Sequence, residues 1–196
     1  RRRRVLVCGP TGTGKSVSIQ DKLLNKVDRS VWMPLFLAFS ARTTANQTQD
    51  IIDGKMSRRR KGVYGPPLGR RYVVFVDDLN MPAKEKYGAQ PPIEILRQWM
   101  DHGGWYNRKD KEQPFMKLID IQFVAALGPP GGGRTRITQR YVRHFNVLGF
   151  TPFAADQLQR VFNTIVAWSF NPFSTKVKGA VRDVVSATVD LYETII

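Results

Sequence analysis

The sequence is poor in the side chains that build disulfides and many metal centres, with one cysteine and two histidines among 196 residues. A single thiol, Cys8, excludes an internal disulfide framework and fits a reducing compartment. Its place in the apolar run "VLVC" reads as a small buried residue, not a reactive thiol. Acidic residues are also scarce, 16 Asp and Glu against 31 Lys and Arg, for a formal net charge of +15. No apolar run approaches the roughly twenty residues that span a bilayer, and nothing ahead of the first apolar run reads as a signal peptide. A soluble domain with no membrane partner is expected. There is no initiator Met, and the chain closes inside a helical pattern, "VSATVDLYETII", so it reads as a piece of something longer.

So large a basic excess invites a nucleic-acid reading, because phosphate attraction is its usual use. The charge is scattered, however, over residues 1–4, "SRRRKG" at 57–62, Arg70 with Arg71, and residues 134–143. It lacks the aromatic interleaving of a base-stacking surface. Scattered clusters suit solvated faces or contacts with neighbouring domains, and no nucleic-acid partner is expected.

What the sequence does contain is enough apolar material, 42%, for a core, and a strand–helix alternation. "PLFLAFS", "RYVVFVDD" and "IQFVAALG" read as strands, with "TANQTQDIID" and "PPIEILRQWMDHG" as helices. Runs 73–76 and 123–127 lack polar alternation, as strands covered by helices on both faces do. In the second helix Ile93, Leu96 and Met100 recur at helical spacing between opening prolines and closing glycines. After "LGFTPFAADQL" the pattern becomes wholly helical: Leu158, Val161, Phe162 and Ile165, then "NPFS", then Val177, Val181, Val184, Thr188, Leu191 and Ile195. The break near Thr151-Pro152 reads as a hinge between two subdomains.

The strongest motif lies in "VLVCGPTGTGKSVSIQ". Gly9-Pro10-Thr11-Gly12-Thr13-Gly14-Lys15-Ser16 fits G-x-x-x-x-G-K-[ST] at every fixed position. Glycines at 12 and 14 let the backbone curl so that successive N–H groups face an anion. Lys15 can reach β- and γ-phosphates, the Ser16 hydroxyl suits Mg²⁺, and the following helix offers its positive end. "VLVC" reads as a buried strand and "SVSIQDKLLNKV" as a helix with Val17, Leu23, Leu24 and Val27 near one face. The pattern predicts ATP or ADP with Mg²⁺; the alternative is a glycine-rich turn without ligand.

The second chemical element is "VVFVDDLNMP", an apolar strand ending in two carboxylates. On a strand next to the phosphate loop, Asp77 would face Mg²⁺ opposite Ser16 and Asp78 would polarise the attacking water. Without the loop the pair would read as carboxylates capping a strand-end turn. Asp is one methylene shorter than the Glu usual in hydrolytic relatives. A misplacement of about 1 Å can cost roughly a hundredfold in rate, so slow turnover is expected. Elsewhere, Ser40, Thr43 and Thr44 read as caps of the helix that follows them. "WYNRKDKEQPFMKLID" reads as a hairpin carrying Trp105 and Tyr106, or as an ordinary surface hairpin.

The phosphate loop together with "VFVDDLNMP", "EKYGAQPPIEILRQWMDHGGWYNR", "IQFVAALGPPGGGR" and "QRYVRHFNVLGF" resembles the AAA+ modules of dynein heavy chains, most closely the third module in its axonemal form. The likeness spans nearly the whole chain. It implies an α/β P-loop NTPase core, a parallel sheet flanked by helices, over residues 1–151, followed by the beginning of a small helical lid over 152–196. The adenine is expected at the hinge between them. Residues 9–16 would be the Walker A loop, and Asp77 with Asp78 the Walker B pair. The first sensor position, Asn in many AAA+ proteins, falls on Gly128, which has no polar side chain, so Asn80 or a backbone group would have to substitute. The second sensor would lie beyond Ile196.

By the same resemblance Arg140, with Arg143 one turn later, would give the arginine finger to a neighbouring module's nucleotide; otherwise the two form a basic solvated helix face. The implied partners are the neighbouring AAA+ modules of the same heavy chain, microtubules through distant parts of the protein, and dynein intermediate and light chains. The implied places are the cytoplasm, the cytoskeleton and the ciliary axoneme. The expected activity is slow, regulatory ATP hydrolysis within a motor ring. Two other readings stand beside it. One is an AAA+ ATPase that handles nucleic acid, against which the scattered charge and "WMDHGGWY" argue. The other is a structural module whose nucleotide never turns over.

Overall fold

Strands without polar alternation need apolar cover on both faces, and the computed structural model, which describes residues 4–195, shows where that cover comes from. The first three arginines of the N-terminal basic cluster lie outside the described residues. The chain divides into two compact units between Thr151 and Pro152. In chain order the first contains β1 (Arg4–Cys8), α1 (Lys15–Asn25), β2 (Trp32–Ala38), α2 (Ala45–Asp53), β3 (Ser57–Arg60), β4 (Val63–Gly65) and β5 (Arg71–Asp77). It continues with α3 (Pro91–His102), β6 (Gly104–Tyr106), β7 (Phe115–Leu118), β8 (Ile121–Leu127), α4 (Gln139–Val142) and β9 (Phe145–Gly149).

β2, β5, β8, β1 and β9 lie side by side in that order and are all parallel. The pleat divides β5 between two layers: Val73 and Phe75 pack with Ile19 and Leu23 of α1, while Val74 and Val76 join Ile93, Leu96 and Trp99 of α3. The register pairs Cys8 with Leu127 and Gly149, and Asp77 with Ala38. The carboxyl ends of the strands therefore share one edge. On α1 the buried seam is Ile19 and Leu23, one turn apart. Val17 and Leu24, expected on the same face, are exposed, and Val27 falls beyond the helix end. The helix meets the sheet along a single narrow line. The expected strand at 34–40 instead runs 32–38, fixed by its pairing with β5. Thr44 caps α2: its Oγ1 accepts from the Gln47 amide and its own amide donates to Gln47 Oε1. Thr43 Oγ1 accepts from the Ser40 amide.

A second sheet, β3-β4-β7-β6, is built from two insertions around β5 and α3. Three arginines in β3 hid that strand from the hydrophobic pattern. The 104–118 segment is indeed a hairpin, and it is more than a surface ornament. Trp105 is fully buried and donates its Nε1–H to Asp53 Oδ1 at 2.9 Å, while Tyr106 is exposed. Burial pushes the Asp53 carboxyl above its ordinary value, opposed by the hydrogen bonds from Trp105 and Gln49. Gln49 also donates to the Tyr106 carbonyl at 2.8 Å, so the end of α2 holds the hairpin.

The second unit holds α5 (Ala155–Ser169), α6 (Thr175–Gly179) and α7 (Val181–Ile195). The expected single helix from Val177 is broken between Gly179 and Val181. Its seam is also displaced: Val181, Val185 and Val189 are buried against Ala155, Leu158, Val166 and Phe170. Val161, Phe162, Ile165, Val184 and Leu191 are exposed instead. α7 buries one i,i+4 line and α5 only partly covers its packed residues, which leaves the wider apolar faces of both helices open. Among the described residues no helix is long and apolar enough to cross a membrane.

Replacing Trp105 with Ala should destabilise the first unit by about 3–5 kcal/mol, and with Phe by about 1–3 kcal/mol, since the second change removes mainly the hydrogen bond to Asp53. Denaturant unfolding measures both. Equal, small losses would show that the hairpin is not part of the core.

Candidate functional site

The site begins where β1 ends. A Cβ on Gly9 would stand 2.4 Å from the Phe150 carbonyl oxygen and 2.8 Å from Phe150 Cβ, so this glycine is required by the close passage of the chain leaving β9. Gly12 and Gly14 have another task. Both take left-handed backbone (φ 83° and 75°), and Gly14 is the N-cap from which α1 starts at Lys15. The turn thus delivers the unpaired first amides of α1 to the carboxyl edge of the sheet.

Lys15 Nζ lies back over this turn, donating to the Pro10 carbonyl and, at 3.2 Å, to Thr13 Oγ1. Thr13 Oγ1 itself donates to the Pro10 carbonyl at 2.9 Å. Burial, and next the nearby Arg134, pull the Lys15 ammonium below the ordinary lysine value, while Asp77 and Asp78 oppose them. Ser16 Oγ donates to Asp77 Oδ1 at 2.8 Å, and the Asp78 amide donates to the same oxygen at 3.0 Å. The strand bearing Asp77 is not the neighbour of β1, contrary to the expectation from sequence: β8 lies between them. Buried Ala125 and Ala126 keep the end of β8 narrow, and Ser16 meets Asp77 across it.

Asp78 takes a left-handed conformation, φ 49°, uncommon for a residue with a side chain and costly by about 1–3 kcal/mol unless the surroundings impose it. Its Oδ1 accepts from Arg134 Nη2 at 3.2 Å. The Arg134 stem crosses Gly128, where a Cβ would come within 2.8 Å of Arg134 Cδ and Nε. Asn80, considered above as a stand-in for the missing sensor amide, is buried, and its Nδ2 donates to the Gly128 carbonyl at 2.8 Å. That amide nitrogen is committed to the loop. Cys8 is half-buried, and burial pushes its thiol above the ordinary value.

Thr11, Gly12, Gly14, Lys15, Ser16, Asp77, Asp78, Gly128 and Arg134 face one cleft of about 350 Å³. A larger cavity, about 580 Å³, lies at the opposite, amino edge of the sheet beside Arg4, Asp101 and His144. In open parallel sheets ligands are taken at the carboxyl edge, and only the smaller cleft combines cations, carboxylates and a helix start there. Arg140 and Arg143 do not line it. Arg140 pairs with Glu94 at 3.6 Å and Arg143 with Asp101 at 2.8 Å, both on α3, and both arginines are well exposed. The residue that sequence reasoning missed is Arg134. It stood only as one charge in a basic run, because nothing local says that the turn after β8 returns to the end of β5.

A glycine turn entering a helix, the Ser16–Asp77 pair, and a parallel sheet in which the loop strand and the carboxylate strand flank a third strand define a P-loop nucleoside-triphosphatase core of the AAA+ class. The comparisons narrow this further. The family model described as "P-loop containing dynein motor region" matches residues 1–153. Over 99% of its length the chain is 52% identical to Dynein axonemal heavy chain 1 of Homo sapiens, and over 96% it is 48% identical to Dynein axonemal heavy chain 12 of Mus musculus. It is 55% identical, over 85% of its length, to Dynein axonemal heavy chain 3 of Mus musculus. The chain belongs to the dynein heavy-chain family, as one of its AAA+ modules. It spans 5%, 6% and 4% of those three relatives.

Gly9→Ala should cost about 1–3 kcal/mol of stability, because its Cβ meets backbone and not a movable side-chain end. Thermal unfolding tests this. An unchanged melting temperature would mean that the exit of β9 yields freely.

Proposed function

We propose that this chain is a nucleotide-binding AAA+ module of an axonemal dynein heavy chain, most like the third, which holds Mg-ATP or Mg-ADP and hydrolyses ATP slowly in a regulatory role. The observation that carries this reading is the Ser16 hydroxyl 2.8 Å from Asp77, on a cleft shared with Lys15. Residues 9–16 would cradle the phosphates with backbone amides, and Lys15 would leave the Pro10 carbonyl for the β- and γ-phosphates. Ser16 and Asp77 offer hard oxygen donors side by side, a set that fits Mg²⁺. Among the described residues no group of three or more His, Cys, Asp or Glu side chains could hold a metal by itself. Bound there, Mg²⁺ would neutralise the charge that develops on the phosphates.

Asp78 would orient and polarise the water. Its short side chain, its pairing with Arg134 and the lack of a polar side chain at Gly128 all point to slow turnover. They also support, as a second reading, a module that holds nucleotide without cutting it. Arg140 and Arg143, exposed and away from the chain's own cleft, suit a finger for a neighbouring module. The second unit would be the beginning of the helical lid. The neighbouring modules of the same heavy chain are the immediate partners in this reading. Microtubules, intermediate and light chains, and the ciliary axoneme follow from the whole motor, with no role for nucleic acid or membrane.

Lys15→Ala should abolish Mg-dependent binding of ATP and ADP in calorimetry, and undiminished affinity in a folded variant would remove the phosphate site. In a heavy chain whose other ATP sites are silenced, Asp78→Asn should lower single-turnover hydrolysis here by about 10²–10⁴-fold, and Asp78→Glu should raise it. Hydrolysis by Asp78→Asn at the unaltered rate would leave Asp78 a strand-end carboxylate.

A further inference from the structure

Arg134 is a charged residue of the cleft to which the proposed mechanism gives no task of its own. It is placed with care. Gly131 and Arg134 exchange backbone hydrogen bonds at 3.0 Å in both directions, closing a tight glycine turn. The next residue, Thr135, donates its amide and its hydroxyl to the Asn80 carbonyl, at 3.0 and 3.2 Å, and accepts from Gln90 Nε2 at 2.6 Å. The turn is thus tied to the segment just after Asp78. From it the side chain runs over Gly128 into the cleft and meets Asp78. Its Nε is buried with no hydrogen-bond partner among the described residues.

The cleft therefore holds two cations from one chain, Lys15 and Arg134, and burial first and Arg134 next depress the Lys15 ammonium. The Arg134–Asp78 pair is partly open to solvent, and such pairs exchange partners readily. A terminal phosphate is a stronger acceptor for a planar guanidinium than a single carboxylate oxygen, because it offers more charge and two oxygens at matching spacing. We propose that Arg134 is a positioning residue that reads the third phosphate: its guanidinium leaves Asp78 for the γ-phosphate of ATP, and stays on Asp78 when the ligand is ADP. The inference rests on the phosphate-site reading above. It makes ATP, and not ADP, the ligand that frees Asp78 to face water, so that one side chain links occupancy to the state of the carboxylate.

The test is calorimetric titration of the 196-residue chain with Mg-ATP and Mg-ADP, for wild type, Arg134→Ala and Arg134→Lys, with circular dichroism to establish folding. Arg134→Ala should weaken ATP by about tenfold or more and leave ADP within about twofold, and Arg134→Lys should recover part of the loss. Arg134→Gln keeps the stem over Gly128 and takes the place of the Ala variant should that one unfold. Equal weakening of both nucleotides would show a structural role and overturn the inference. Unchanged affinities would confine the guanidinium to Asp78 and overturn it too. If wild type binds neither nucleotide, the phosphate site itself fails, and this inference fails with it.

Discussion

The hydrogen bond from the Ser16 hydroxyl to Asp77 depends on almost everything else in the first unit. It joins the first turn of α1, the helix that follows β1, to the end of β5; β1 and β5 do not touch, and the end of β8 lies between them. For it to form, the chain must leave β1 through a turn that takes left-handed backbone at Gly12 and Gly14, so that α1 begins at Lys15, directly after the second of these glycines. The sheet must also be parallel and in register, so that Cys8 finishes level with Leu127 and Asp77 level with Ala38 along one edge. The apolar core on both faces of the sheet holds that register. Burial of Val73 to one side and Val74 to the other makes any one-residue slip of β5 exchange its two packed faces.

The parts of this arrangement legible in the sequence are those that depend on neighbours along the chain. The phosphate loop, the apolar strands, the capping box at Thr44 and the glycine-terminated helix α3 are all local patterns. What the sequence hid is non-local or uses polar residues in an unusual way. β3 is a strand made largely of arginine, held by pairing with β4. Trp105 was legible as an aromatic in a hairpin, but not as a side chain buried against Asp53, because that contact spans two insertions. On α1 and α7 the apolar residues outnumber those that one narrow packing line can cover, so periodicity alone chose Val17, Leu24 and Val184, which are exposed. Arg134 was hidden for the strongest version of the same reason, since its partner is 56 residues away in the chain.

Net charge taught less than the placement of individual charges. A total of +15 says nothing about the cleft, where Lys15 and Arg134 face Asp77 and Asp78 in equal number. A balanced cleft is suited to a ligand that brings its own cation, since the magnesium nucleotide carries less charge than its phosphates alone. Exposed Arg140 in α4 and Arg143 just after it pair with Glu94 and Asp101 of α3, so part of the basic excess near residue 140 is already paired within the fold.

Gly128 and Arg134 are best understood as one feature. Taken alone, a glycine where many AAA+ proteins carry an asparagine is a loss, because no side chain is left to hold a water. In this fold a side chain at 128 would begin within 2.8 Å of the Arg134 stem, so an asparagine there and an arginine lying on Asp78 exclude each other unless the arginine moves. The absent amide and the present guanidinium are therefore two sides of a single exchange. Where an amide could orient water, the cleft carries a cation that binds the carboxylate proposed to act on it. A cation on Asp78 occupies an oxygen that a water would otherwise meet. Under the proposed reading, this arrangement favours holding a nucleotide over cutting it fast, by geometry that leaves the glycine turn at residues 9–14 unchanged.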